Sequence, residues 1–410
     1  MPHPLTDKYL RQIAAWASKV RVEEWFAALD TEEYGTLIQS VRSIHRPHVT
    51  EQDAAYLLLG ALAHCLAGPS RERRGWLTDV KNEDLRNRFC DVVRERIESL
   101  PWDIQVHFPL PRFTDFSDIT IKLSESISLK TAWDGPDSTP DAGQNMLAAL
   151  VIPQKRAWLT VDVKGYIVEE AETGALSSAI SQAKQCLYFL SLHSWVRSPR
   201  SQGQVVNAVA TLPTSRQNIR LPYSLARYLG TLAPDDMSFT IYDTTTAKSL
   251  LGGELRQAIT PGERASALEQ KLGAARLFFA RRGNADFDAI AAAIEWYMDS
   301  VTADNQTFAY IAACIGMEAL LGYGETSERM DAMSSRLCDR YGFLLGAGRH
   351  ERERLSREYH DILKLRGKLV HARSKRLTSV EQAKLNQVQH MLAGVIGKEI
   401  EVFISGDSIQ

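Results

Sequence analysis

The chain has 410 residues, 44% of them hydrophobic and 24% charged, and a formal net charge of -2. That length exceeds what one hydrophobic core normally serves, so two or three domains of a globular protein are expected. The near-neutral balance excludes a global drive towards nucleic acid, and any such binding must rest on a local patch.

The opening Met1-Pro2-His3-Pro4-Leu5 has no apolar core and does not read as a signal peptide. The longest apolar run, Ala54 to Gly68, is short for a bilayer and is interrupted by His64, so no membrane partner is expected. Five cysteines (Cys65, Cys90, Cys186, Cys314, Cys338) are dispersed without a Cys-x-x-Cys pair. That pattern suits free core thiols and a cytoplasmic location and argues against structural zinc; no other metal and no cofactor is expected.

In chain order, residues 1–100 read as a helical N-terminal block. Thr50-Glu51-Gln52-Asp53 and Asn82-Glu83-Asp84 look like helix starts, and Pro101 closes the block. From about 103 the period changes to two. Segments 119–123, 126–129, 147–152 and 158–163 are expected strands, 134–143 a loop, 175–195 a helix, and 205–212 and 239–242 further strands. From 263 onward six helices are expected, over 263–281, 285–302, 305–322, 326–346, 350–373 and 379–404. The fold class is therefore α+β and mainly helical, with blocks at 1–100, 101–260 (α+β) and 261–410 (an all-helical bundle).

Three charges interrupt apolar stripes in the last block. At about 100° per residue, Tyr359, Ile362, Leu369 and Val370 share a face with Arg366 at its middle. On 305–322, Ile311, Ile315 and Gly322 share a face with Glu318, and on 326–346, Met333, Leu337 and Leu344 share one with Arg340. A guanidinium keeps its charge, so on a packing stripe it needs a carboxylate, a phosphate or a wet cleft. Two arrangements fit: an ion pair that orients the bundle, with Glu318 and Arg340 as its supporting members, or one carboxylate anchoring one arginine while the second guanidinium faces an anion.

His371 lies five residues after Arg366, about 140° around an ideal helix, so a straight helix cannot aim both at one spot. Facing helices of a two-fold dimer supply another route to one cleft. Gly367 lies between them and costs the helix about 1 kcal/mol relative to alanine. Segment 349–376 carries ten Lys/Arg against four Asp/Glu, a local charge of +6, which makes Lys368 and Arg373 candidate phosphate-binding residues.

Gly316-Met-Glu-Ala-Leu-Leu-Gly322, Arg336-Leu-Cys-Asp-Arg-Tyr-Gly-Phe-Leu-Leu345 and Leu365-Arg-Gly-Lys-Leu-Val-His-Ala372 together resemble a HEPN domain of the ApeA-like branch. The resemblance covers about 305–372. It implies a helical bundle that dimerises around a composite, metal-independent ribonuclease site with Arg366 and His371 as its catalytic Arg-x4–6-His pair. It implies RNA as partner and a role in prokaryotic antiphage defence or a toxin–antitoxin system, with a regulatory protein or phage trigger. Arg42…His48 and Arg354…His360 have the same spacing. Pro47 interrupts the first, and the second lacks the flanking Leu-Val pair, so context selects Arg366…His371. Catalytic members often carry a polar residue after the arginine, whereas this chain has Gly367.

Two alternatives remain open. One is an inactive HEPN dimer that binds RNA or protein. The other is a metal-dependent nuclease in the middle domain, where Pro140-Asp141 and Asp162-Val163-Lys164 imitate a PD-(D/E)xK pattern. His45 and His48 are too few and too isolated for a metal site, and no Gly-x4-Gly-Lys loop or Gly-x-Ser-x-Gly elbow occurs.

Overall fold

The computed structural model describes residues 6–66, 73–110, 119–133, 156–168, 171–192, 209–212, 217–220, 269–270, 272–322, 330–371 and 376–406. The chain is α+β and mainly helical, as expected from its patterning. It divides into two compact units. Unit 1 comprises 1–107, 161–180 and 208–222, and unit 2 comprises 108–160, 181–207 and 223–410.

Unit 1 carries α1 (Asp7–Ala17), a 3-10 stretch (Val22–Asp30), α2 (Glu32–Ile44), α3 (Glu51–Leu66) and α4 (Glu83–Glu98). Thr50 and Asp53 start α3 reciprocally: Asp53 N donates to Thr50 Oγ1 at 3.1 Å and Thr50 N to Asp53 Oδ2 at 2.9 Å. Asn82 starts α4 by another route. Its Nδ2 donates to the carbonyls of Arg74 and Trp76, so it ties the preceding loop instead of capping the helix. Trp16, Leu37, Leu57, Leu58 and Phe89 are fully buried and gather these helices around one core. Each such side chain contributes about 1.5–3 kcal/mol through burial.

Six strands follow: β1 (Trp102–Pro109), β2 (Thr120–Lys122), β3 (Ile127–Trp133), β4 (Arg156–Gly165), β5 (Val209–Leu212) and β6 (Gln217–Arg220). Within unit 1, β5 pairs with both β1 and β6, and within unit 2, β2 pairs with β3. Antiparallel registers place Val106 opposite Ala210, Ile121 opposite Leu129, and Ala210 opposite Ile219. Strands β1 and β6 were not among the expected ones; β5 falls within the expected 205–212, of which 205–208 lie outside the described residues. The expected elements at 134–143, 147–152 and 239–242 lie outside the described residues.

Helix α5 (Gly174–Leu192) follows the strands, and then come α6 (Gly273–Ala280), α7 (Ala285–Thr302), α8 (Gln306–Leu321), α9 (Met330–Leu345), α10 (Arg349–His371) and α11 (Ser379–Ser405). Side-chain caps at Asn284, Asn305 and Thr378 begin α7, α8 and α11. The expected helix over 263–281 is not continuous, because Leu272 turns the chain and α6 starts only at Gly273. In unit 2, α7 packs on α8, α9 on α10, and α11 across α7, α8 and α9.

The portion of α5 in unit 2 meets α7 through a buried ion pair. Lys184 Nζ lies 2.9 Å from Asp299 Oδ1, with side chains only 12% and 22% exposed. Lys184→Met leaves the Asp299 carboxylate inside without its ammonium and should cost about 3–5 kcal/mol, measured by denaturant unfolding. The exposed Lys19–Glu33 pair is the control, and Lys19→Met should cost less than about 1 kcal/mol. Equal small losses at both positions would contradict the packing described.

Candidate functional site

The residues singled out by the apolar stripes converge on α8 and α10. Arg366 Nη2 lies 3.4 Å from Glu318 Oε2, with side chains 33% and 26% exposed. The pair is therefore half-buried, neither a core ion pair nor a surface one. Tyr310 fastens the same two helices, its hydroxyl donating to Ile362 O at 2.9 Å. Leu377 N donates to Thr307 Oγ1 at 3.2 Å, bringing the chain beyond α10 back to the start of α8.

Behind the pair the interior is polar but incompletely satisfied. Arg366 Nε and the Tyr359 hydroxyl are both buried with no hydrogen-bond partner among the described residues. Burial raises the Glu318 carboxyl above the usual glutamate range, and the Arg366 guanidinium only partly offsets this. Burial pushes the Tyr359 hydroxyl well up, with the neighbouring Cys314 and Glu318 adding to the effect. The Cys314 thiol is raised for the same reason, so it is an inert core thiol and not a nucleophile.

Arg340 does not point into this centre, which corrects the inward orientation expected from its stripe. Its residue is exposed, and Nη1 donates to Leu321 O at 2.6 Å, capping the C-terminus of α8. It also pulls down the carboxyl of Glu399, which burial otherwise raises. The cationic partner of Glu318 is thus Arg366, and Arg340 supports the helix end. The stripe misled because a long guanidinium stem reaches a carbonyl at the helix end from an exposed Cα position.

Around Arg366 the outer face is apolar. Val370 is 47% exposed and Phe308 48% exposed, and Ile311, Ile315, Leu363 and Gly367 are half-buried. Val370 was expected on the packed stripe, but α8 and α9 do not cover that far side. Lys368 is exposed. His371 is the last residue of α10; its side chain, like the whole of Arg373, lies outside the described residues. Gly367 sits in unbroken helix with nothing within 4 Å of where a Cβ would be.

The other motif residues are engaged elsewhere. Arg354 pairs with Glu358 at 2.6 Å. Asp162 accepts from Gln105 Nε2 at 2.9 Å, and Lys164 pairs with Asp103 at 3.1 Å, which are ordinary cross-strand pairs on an exposed sheet face. Asp141 lies outside the described residues. Among the described residues no group of three His, Cys, Asp or Glu side chains is placed to hold a metal ion. The cysteines are unbridged, and no helix is long and apolar enough to cross a membrane. Comparisons with protein-family models, curated proteins and solved structures find no match.

The site yields two expectations. A raised carboxyl pKa means the folded chain binds the Glu318 proton more tightly than the unfolded one, so this residue's favourable contribution is present at low pH and lost as pH rises through its folded pKa. Melting of Glu318→Gln should therefore improve relative to the parent as pH rises above the usual glutamate range; movement the other way would show that attraction to Arg366 outweighs burial. Gly367→Ala fills open space and should stabilise the isolated chain by about 0.5–1 kcal/mol in thermal unfolding. A loss instead would reveal a close approach at Gly367.

Proposed function

We propose that the α7–α11 bundle is a metal-independent endoribonuclease of the HEPN type that works as a dimer. The observation that carries this reading is Arg366: a half-buried guanidinium on an apolar face whose ion pair among the described residues is one long contact to Glu318, with Nε buried and unmatched among them. A phosphate oxyanion approaching that face supplies the acceptors the arginine lacks. The exposed apolar rim of Phe308 and Val370 fits a second copy of the same face, which brings both chains' α10 helices to one cleft.

In the mechanism, a base takes the proton from a ribose 2′-hydroxyl, and that oxygen attacks the adjacent phosphorus. The 5′-oxygen of the next nucleotide leaves and receives a proton, so the products are a 2′,3′-cyclic phosphate and a 5′-hydroxyl. His371 is the residue for proton transfer, since imidazole titrates near neutrality. Arg366, with Lys368 and Arg373 nearby in sequence, stabilises charge on the pentavalent phosphorus. The remaining parts of the chain would restrain this activity or sense a trigger, in antiphage defence or a toxin–antitoxin pair.

A second reading is an inactive module that binds RNA or a partner protein. Glu318 favours it, because a carboxylate on Arg366 competes with phosphate, and Gly367 provides no polar group beside the arginine. Incubation of the purified protein with single-stranded RNA separates the two. Cleavage in EDTA leaving cyclic phosphate ends, abolished by His371→Ala and by Arg366→Ala, is the expected result. His371→Ala should keep the parental melting temperature, whereas Arg366→Ala should lose about 1–3 kcal/mol with its Glu318 contact. Activity that survives His371→Ala but disappears with chelator or with Asp162→Ala would move the chemistry to the sheet. Binding without cleavage would establish the inactive module.

A further inference from the structure

Unit 2 contains a cavity of about 370 Å³, remote in sequence from the Arg366 motif, with Ala291 and Ala292 as small residues in its lining. That volume suits a small organic molecule. Along α7, Asp288, Ala292, Glu295 and Asp299 recur at helical spacing and line the cavity, with aromatic Phe287 and Trp296 beside them. Ser181 and Gln185, one turn apart on α5, line it too.

The polar groups here are oriented but not all satisfied. The Ser181 hydroxyl donates to Glu295 Oε1, and Gln185 Nε2 donates to Ser181 Oγ at 3.1 Å and to Glu295 Oε1 at 3.2 Å. These acceptors fix which end of the Gln185 amide carries nitrogen. Gln185 is 3% exposed, and its Oε1 is buried with no donor among the described residues. Arg282 is the cavity's cation. It donates to Gln182 Oε1 at 3.0 Å and lies over the Phe287 ring at 6.0 Å, yet forms no ion pair with a carboxylate among the described residues. Burial lowers its pKa, and the nearby Cys186 and Asp288 only partly offset this. The cavity thus holds a cation and the Glu295 carboxylate without joining them in an ion pair.

We infer that this cavity binds a small zwitterion of the amino-acid class, its carboxylate on Arg282 and its ammonium on Glu295. A simple anion leaves Glu295 without a countercharge, and a simple cation leaves Arg282 without an ion-paired carboxylate. The zwitterion meets both. This inference does not depend on the ribonuclease reading.

The test is titration calorimetry and thermal unfolding of the full chain with each standard amino acid, at concentrations up to 10 mM. At least one should bind and raise the melting temperature. The decarboxylated amine of the best binder should bind about tenfold or more weakly to the unaltered protein, as expected for losing a charge-assisted hydrogen bond. Glu295→Gln and Arg282→Ala should each weaken binding by a similar factor. No binding by any amino acid overturns the proposal. So does a bound amino acid indifferent to Arg282→Ala and Glu295→Gln, or one bound no better than its decarboxylated amine.

Discussion

The C-terminal bundle depends on how it accommodates one permanent charge. Arg366 sits on α10 between Ile362 and Leu369, both buried, and a guanidinium cannot relieve its position by losing a proton. The chain answers with Glu318, but the answer is partial. The contact is long at 3.4 Å, the carboxylate is itself raised by burial, and Arg366 Nε is left without an acceptor. A purely structural ion pair gains most when both partners are fully hydrogen-bonded. An unfinished pair beside an exposed apolar rim is better suited to receiving another anion.

Unit 2 handles its charges in two contrasting ways. Between α5 and α7, Lys184 and Asp299 are brought together at hydrogen-bond distance and closed off from water, which fixes how these helices pack. One turn from Asp299 on α7, Glu295 lines a cavity together with Arg282 of the α6–α7 connection, and the two remain unpaired with each other. The first arrangement holds the fold; the second leaves binding capacity. The Arg366–Glu318 contact lies between these extremes. Arginines at the start of α10, by contrast, are spent on local pairs such as Arg349–Glu353 and Arg354–Glu358, so much of the apparent basic patch at 349–376 is already neutralised.

Much of the helical architecture was legible because local chemistry and packing agree. Asn284, Asn305 and Thr378 cap at the positions where the apolar period begins, and α7, α8 and α11 start there. Strand β1 was missed because its interior residues do not alternate cleanly: His107 is buried alongside Val106 and Phe108. Gln217-Asn218-Ile219-Arg220 has little strand propensity, and it is pairing with β5 that makes it β6. The meeting of Glu318 with Arg366 could be anticipated from two interrupted stripes, but the position of Arg340 could not, since a helix period says nothing about how far a long side chain reaches. The α5–α7 cavity left a trace that only becomes readable once the helices are paired: Ser181 and Gln185 on one helix, Glu295 and Asp299 on the other, each four residues apart.

The central claim is that the face bearing Arg366 is completed by a second copy of the chain. Crosslinking through Val370→Cys in a Cys90→Ser background tests it most directly, because Val370 is exposed on that face while Cys65, Cys186, Cys314 and Cys338 are buried and Cys90 is half-buried. Mild oxidation at micromolar concentration should give a covalent dimer in high yield, reversed by reductant and suppressed by a charged substitution at Phe308. A chain that sediments as a monomer and yields no crosslinked dimer under the same conditions would contradict the account.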